Sequence, residues 1–230
     1  MPFPPFTVRG IVAGIVGSGP LLPSVAAYGV VFGLMANGSG LSAVETTVFS
    51  ALVAAGGAQM ASLQVWGDPV PLIAVCLTAL AMNSRYLLFG ATLRPWLGAL
   101  PAWQTYPSLF FIGDGNWALA MREKAAGRND AGFLLGSGLI CWGMWVASTS
   151  AGHIFGQILG DPRRLGVDFM LAAFFAALVV TFLRRLRDLI PFAVAALAAI
   201  AVELVVAGPF YILAGALAGS LAGVIGRHAR

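Results

Sequence analysis

The sequence predicts an all-α, polytopic transmembrane helix bundle of seven or eight spans, built as two repeated halves, with a broken first helix. Three observations predict it. The 230 residues are 59% hydrophobic and 10% charged, with mean hydropathy +0.89, whereas soluble domains run at about a quarter charged. Apolar runs long enough to cross a hydrocarbon core of about 30 Å occupy most of the chain. The Lys and Arg residues cluster between those runs, the pattern of loops held on the cytoplasmic side.

The apolar runs cover 8–35, 43–66, 70–93, 131–157, 166–183, 189–206 and 208–226. The first is interrupted by Gly17-Ser18-Gly19-Pro20-Leu21-Leu22-Pro23. Proline removes a backbone donor and clashes with the preceding turn, so a break is expected there. A broken helix inside a membrane survives only where protein or a watery cavity satisfies the freed backbone. The stretch 103–121 is apolar but interrupted by Pro107, Asp114 and Gly115, and reads as an eighth crossing, a re-entrant segment or an interfacial one. Charge favours eight. Arg9, the loop with Arg122, Lys124 and Arg128, the loop with Arg184, Arg185 and Arg187, and the terminus with Arg227 and Arg230 then share the cytoplasmic side. Arg163 and Arg164 violate the rule.

A faint repeat relates 8–121 to 131–226. Gly29-Val30-Val31-Phe32-Gly33 and Gly152-His153-Ile154-Phe155-Gly156 both read G-x-x-F-G. Each follows a Gly-Ser-Gly, at 17–19 and 136–138, and each precedes a similar run, Phe49–Val53 and Phe175–Val179. Transporters are often built from two such halves with the substrate site between them. Eight crossings would make the halves parallel; three helices per half would make them inverted. The whole chain reads as one integral membrane domain, 1–230.

Several classes are excluded. The net charge of +4 comes without Lys/Arg-rich blocks flanked by stacking aromatics, so nucleic acid is not the partner. Cys76 and Cys141 sit inside apolar runs without CxxC or metal spacing and read as reduced packing residues. His153 and His228 offer no metal cluster. No cofactor is expected. The N-terminus lacks a basic region and a cleavage site, so the first span is expected to be retained.

Ionisable residues within spans carry the functional argument, because burying a charge in a bilayer costs several kcal/mol. Arg85, after Asn83 and Ser84, is set in a long apolar run. Its planar fork suits a substrate carboxylate or a salt bridge broken during transport; an interfacial anchor is the plainer alternative. Asp114 is a candidate proton acceptor if its stretch enters the membrane. Glu203 ends another apolar run and is a second candidate for proton coupling, with Arg85 a possible partner. Glu45 and Asp168 sit near span starts, as helix-start carboxylates do. Gln59, after Gly56-Gly57-Ala58, could touch substrate or join two helices. Ser18, Gly19 and Pro20 place a half-helix end where it could meet a charged substrate group. His153 reads as a packing residue or a proton shuttle.

Gly57-Ala58-Gln59, then Asn83-Ser84-Arg85 followed by Leu87-Leu88, then Asp114 ahead of Ala118-Leu119, together resemble the AzlC family. These are large subunits of branched-chain amino acid exporters. The resemblance runs from Pro23 to the last span. It implies a multi-pass protein of the bacterial inner membrane that exports valine, leucine, isoleucine or methionine on the proton motive force. It also implies a small membrane partner of the AzlD type, a free amino acid as substrate and the lipid bilayer as surroundings. Two positions depart from the family pattern. Tyr86 stands where the family often has His, and Gly115 where it often has Glu. A coupling role for that second carboxylate would therefore pass to Asp114 or Glu203. The alternatives are a channel or a transporter for another solute, an assembly subunit, or an intramembrane hydrolase built on Ser137 and His153.

Overall fold

The computed structural model describes residues 5–159, 187, 189–206 and 210–228. The expected span 166–183, with Arg163, Arg164, Asp168, the run Phe175–Val179, Arg184 and Arg185, lies outside the described residues, as does Arg230. The described residues are helical, without strands: α1 (Val8–Gly17), α2 (Leu22–Gly38), α3 (Ala43–Val53), α4 (Gly56–Gln64), α5 (Leu72–Asn83), α6 (Arg85–Leu97), α7 (Ala102–Phe110), α8 (Asp114–Ala125), α9 (Gly132–Leu159), α10 (Leu189–Val205) and α11 (Phe210–His228). Two compact units form, Met1–Gln59 with Asn83–Leu165, and Met60–Met82 with Gly166–Arg230.

The first unit is organised round α9. Asp130 sets its register by joining two helix N-termini. Its carboxylate accepts from the Thr7 backbone N–H (3.1 Å), the Thr7 hydroxyl (2.5 Å) and the Gly132 N–H (3.0 Å). One negative charge thereby serves the positive ends of both α1 and α9. From there the two paths climb together. A Cβ on Gly14 would collide with the Phe133 carbonyl, one on Gly33 would lie 2.6 Å from the His153 nitrogen, and one on Gly156 would lie 3.1 Å from Asn37. Ser18 meets Ser137 between them, oxygen to oxygen at 2.5 Å. Small residues let the backbones approach this closely. α1 and α2 therefore run parallel to α9, and the two Gly-Ser-Gly and two G-x-x-F-G motifs face each other along the seam.

The expected break in the first span is present. α1 stops at Gly17, Gly19–Leu21 forms a 3-10 turn, and α2 begins at Leu22. The Ser18 hydroxyl donates to the Gly14 carbonyl (2.8 Å), so the Ser137 hydroxyl is the donor between the two serines.

The run 43–66, expected as one span, is also broken. Ser42 and Glu45 start α3 with a reciprocal capping box, at 2.8 and 3.2 Å, as the helix-start reading of Glu45 expected. α3 then descends antiparallel to α9: Thr46 meets His153, and the Trp142 indole donates to the Ala51 carbonyl (3.0 Å). At Ala54 the backbone turns left-handed (φ 46°), uncommon for a residue with a Cβ, and the chain leaves the path of α3. Gly56 and Gln59 both contact Trp145, so residue 59 has not advanced beyond the level that Ala51 reached.

Two further breaks follow. Ser84 separates α5 from α6, and 111–113 separate α7 from α8. α8 runs parallel to α6. Asp114 meets Arg85 at their first turns, Trp117 stacks on Phe89 (4.5 Å), and Lys124 lies over Trp96 (5.7 Å) at their last turns. α7 begins beside the end of α6, where the Thr105 hydroxyl donates to the Leu97 carbonyl (3.2 Å). It ends beside the middle of α9, where Phe111 packs on Trp142 (5.4 Å). The stretch 103–121 is thus no single continuous helix. It rises, breaks and returns as a helical hairpin. Leu93, Trp96 and Leu97 of α6, Ile112, Ala120, and Ala131, Phe133 and Leu134 form the buried apolar cluster at its base.

In the second unit, α10 and α11 pack as an antiparallel pair. Gly215, Gly219 and Gly223 recur every fourth residue. A Cβ on Gly215 would lie 3.0 Å from the Ala195 carbonyl, and one on Gly219 would lie 3.0 Å from the Pro191 carbonyl. Among the described residues, Val8–Gly38, Leu72–Leu97 and Gly132–Ile158 are long and apolar enough to cross a membrane.

Candidate functional site

Arg85 and Asp114 are each the first residue of a half-helix that follows a break. Arg85 Nη1 lies 3.1 Å from Asp114 Oδ2. The positive end of α8 favours the carboxylate, and the carboxylate in turn compensates the Arg85 guanidinium. The contact is single. Guanidinium offers five N–H donors in a fork, and Arg85 Nε is buried without a hydrogen-bond partner. Asn83 Oδ1, two residues away, is also buried and unpaired. Arg85 therefore retains an unused donor, and Asn83 an unused acceptor.

Asn116 builds the tip that presents Asp114. Its Oδ1 accepts from the Gly113 N–H (2.6 Å), and its Nδ2 donates to the Phe111 carbonyl (2.9 Å). The side-chain amide replaces the helix bonds missing between α7 and α8. Sequence reasoning passed over Asn116; the signal was an amide three residues after Gly113, the N3 spacing of a cap. The neighbouring wall is aromatic. Tyr86 packs on Phe89 (5.6 Å), Phe89 stacks on Trp117, and the Trp117 indole donates to the Thr92 hydroxyl (3.0 Å).

The break in the first span adjoins this tip. A Cβ on Gly115 would sit 3.4 Å from Leu21, so position 115, where the resemblance leads one to expect Glu, looks toward the 3-10 turn. Ser18 is buried in its bonds to Gly14 and Ser137, while Gly19 and Pro20 are exposed. The structure thus joins Arg85 and Asp114, with Asn83 two residues before Arg85, and sets the first break beside the tip.

Gln59 lies at a different break. It is fully buried at the start of α4, its Oε1 accepting from the Trp145 indole (3.1 Å) and its Nε2 unpaired. Glu203 is exposed in the last turn of α10 and makes no ion pair among the described residues. Arg85 pairs with Asp114.

His153 is a packing residue in this geometry. The Thr46 hydroxyl donates to the Ser42 carbonyl (2.9 Å), so it accepts from His153 Nδ1 (3.1 Å), while Gln157 Nε2 lies 3.2 Å from Nε2. The Nδ1–H tautomer satisfies both contacts. Ser137 and His153 lie on the same helix, α9, and a 16-residue separation is roughly 24 Å at 1.5 Å per residue. That distance removes the serine–histidine hydrolase. Cys76 and Cys141 are free thiols, and no group of metal-ligating side chains occurs among the described residues.

The chain is 28% identical to "Inner membrane protein YgaZ" of Escherichia coli over 212 residues, 90% of this chain and 86% of that protein. It is 27% identical to an "Uncharacterized membrane protein" of Archaeoglobus fulgidus over 212 residues, 90% of this chain and 91% of that one. No solved structure matches. The family described as AzlC protein matches residues 20–159, which hold the breaks at Ala54, Ser84 and 111–113, the Arg85–Asp114 pair and the whole of α9. This chain belongs to the AzlC family.

Proposed function

We propose that this chain is a secondary active exporter of branched-chain, hydrophobic amino acids across the bacterial inner membrane. It is driven by the proton motive force and works with a small membrane subunit of the AzlD type. AzlC proteins form a membrane transport family, which points away from an enzyme. The observation that carries the reading is the Arg85–Asp114 pair, held at 3.1 Å between two helix breaks.

A zwitterionic amino acid is complementary to that pair. Its carboxylate takes the unused donors of Arg85, Nε among them, and its ammonium takes Asp114 and the free Asn83 Oδ1. The aromatic wall of Tyr86, Phe89 and Trp117 and the neighbouring 3-10 turn Gly19–Leu21 close on the aliphatic part. Protonation of Asp114 deprives the ammonium of its partner and weakens the substrate's hold. Proton and substrate therefore compete for one site, as an exchanger needs in order to turn proton entry into amino acid exit. Glu203 is the further candidate carboxylate on the proton path.

Topology supports the same reading. Arg9, Arg122, Lys124 and Arg128 lie at the end of the first unit where Thr7 meets Asp130. The positive-inside rule makes this end cytoplasmic. α7 and α8 then form a re-entrant hairpin that carries Asp114 inward from the cytoplasm. α6 runs back toward that end beside α8.

The test is efflux of preloaded labelled leucine or valine from cells expressing the chain with and without the small subunit, with an uncoupler as control. The reading expects uncoupler-sensitive efflux, lost in Arg85→Ala and Asp114→Asn while both variants still insert. Normal efflux from both variants would sink the site. No efflux from inserted wild-type protein would sink the substrate.

A further inference from the structure

The break between α3 and α4 holds polar groups that the Arg85–Asp114 site does not use. Gln59 is 0% exposed. Its amide orientation is set by chemistry, because the Trp145 indole is a donor only and must face Oε1, as it does at 3.1 Å. The free end is therefore Nε2, which carries donors and lacks a partner. An unmet buried donor is costly, about 1–3 kcal/mol, and such groups in a folded protein call for an explanation.

The amide folds back onto its own helix start. A Cβ on Gly56 would lie 2.6, 3.0 and 3.1 Å from Trp145 Cη2, Cζ2 and Cζ3, the six-membered ring of the same indole whose nitrogen holds Gln59. The unpaired donor thus sits by the first turn of a nine-residue helix, whose N-terminus attracts negative charge. In the last turn of α3, Ser50 Oγ is a second fully buried polar atom without a partner. Trp145 is clamped in turn by stacking on Phe32 at 5.8 Å.

We propose that the α3–α4 break is a second substrate station that binds a carboxylate through Gln59 Nε2 and the first turn of α4, with Trp145 as the residue that orients the amide. The ligand must offer acceptors, since a donor such as an ammonium would face the wrong end of the amide. The station carries no formal charge, so it grips a carboxylate less firmly than Arg85 does and suits a step on the way through. Trp145 lies seven residues above Gly138, which touches the α7–α8 tip, roughly 10 Å along α9 by its rise. That the carboxylate belongs to an amino acid rests on the exporter reading; that the station takes an acceptor rests on the amide alone.

The probes are 4-methylpentanoate, which is leucine without its ammonium, 3-methylbutylamine, which is leucine without its carboxylate, and L-leucine itself. Each is titrated into the purified full-length protein. Wild type should bind 4-methylpentanoate. The Arg85→Gln/Asp114→Asn double variant should retain that binding, and Gln59→Leu should weaken it about tenfold, the loss of one hydrogen bond to a charged group. Trp145→Phe keeps the stack on Phe32 but frees the amide to turn. It should lower the preference for 4-methylpentanoate over 3-methylbutylamine, a ratio that a merely structural role would leave alone, and it remains decisive if Gln59→Leu does not fold. The proposal is overturned if wild type binds no carboxylate, if the double variant loses it, or if Gln59→Leu or an unchanged Trp145→Phe ratio shows the amide to be irrelevant. If wild type ignores leucine yet binds 4-methylpentanoate through Gln59, the exporter reading falls and the station stands.

Discussion

Asn116 is the side chain on which the hairpin tip depends. Replacing it with Ala leaves two groups without partners, the Gly113 N–H and the Phe111 carbonyl, now bonded at 2.6 and 2.9 Å by an amide only 3% exposed. A buried orphan costs about 1–3 kcal/mol; both bonds are part-buried, so the change should destabilise the tip by up to roughly 2–6 kcal/mol. Asp114 directly follows Gly113, so loosening the tip also loosens the ion pair. Asn116→Asp separates the two bonds. A carboxylate still accepts from Gly113 but cannot donate to Phe111, so it should recover about half of the loss and no more. It also sets a like charge in the same turn as Asp114, which disfavours the charged pair of carboxylates. The assay is unfolding of the purified protein by titrated SDS, with efflux of labelled leucine beside it. The expected order of stability is wild type, then Asn116→Asp, then Asn116→Ala, with efflux falling in step. An Asn116→Ala protein with a wild-type unfolding midpoint would refute the reasoning, because it would mean that the two backbone groups find other partners at no cost.

Other outcomes follow from the same geometry. Arg85→Lys should export poorly, because an ammonium reaches Asp114 as a point charge but cannot offer the second, bidentate face to a carboxylate; wild-type efflux would remove the fork from the argument. Gly152→Val should prevent folding, since even a Cβ there collides with the Val30 carbonyl; a well-expressed, active variant would deny the parallel seam. Single cysteines replacing Trp103 and Lys124 should both label from the cytoplasmic face in a variant lacking Cys76 and Cys141, as the two ends of a re-entrant hairpin do; labelling from opposite faces would restore 103–121 as a crossing.

The functional residues were legible to different degrees, for reasons of scale. Arg85 and Asp114 stood out because a charge in an apolar run is expensive wherever the helix lies, and that cost is visible in one dimension. The break at Gly17–Pro23 was legible because proline and glycine act on their own backbone. The break at Ala54 was not: alanine is the best helix former, and nothing local asks it to turn left-handed. The contacts of Gly56 and Gln59 with Trp145, some ninety residues away, accompany the break. Asn116, Asp130 and Trp145 were missed for a related reason. Each acts by reaching a backbone or side-chain group whose nearness only folding creates.

The amino-acid sequence by itself determined that this is an all-helical membrane protein, where its first helix breaks, which charges lie in apolar runs, and which family it resembles. All of these follow from composition, local backbone chemistry and the order of motifs. Tertiary structure alone decided that Arg85 pairs with Asp114, that Gly29–Gly33 lies face to face with Gly152–Gly156 and parallel to it, and that 103–121 folds back on itself. Those outcomes turn on which backbones approach within van der Waals distance, and hydropathy, which counts how apolar a stretch is, carries no record of which way the chain runs once it is inside.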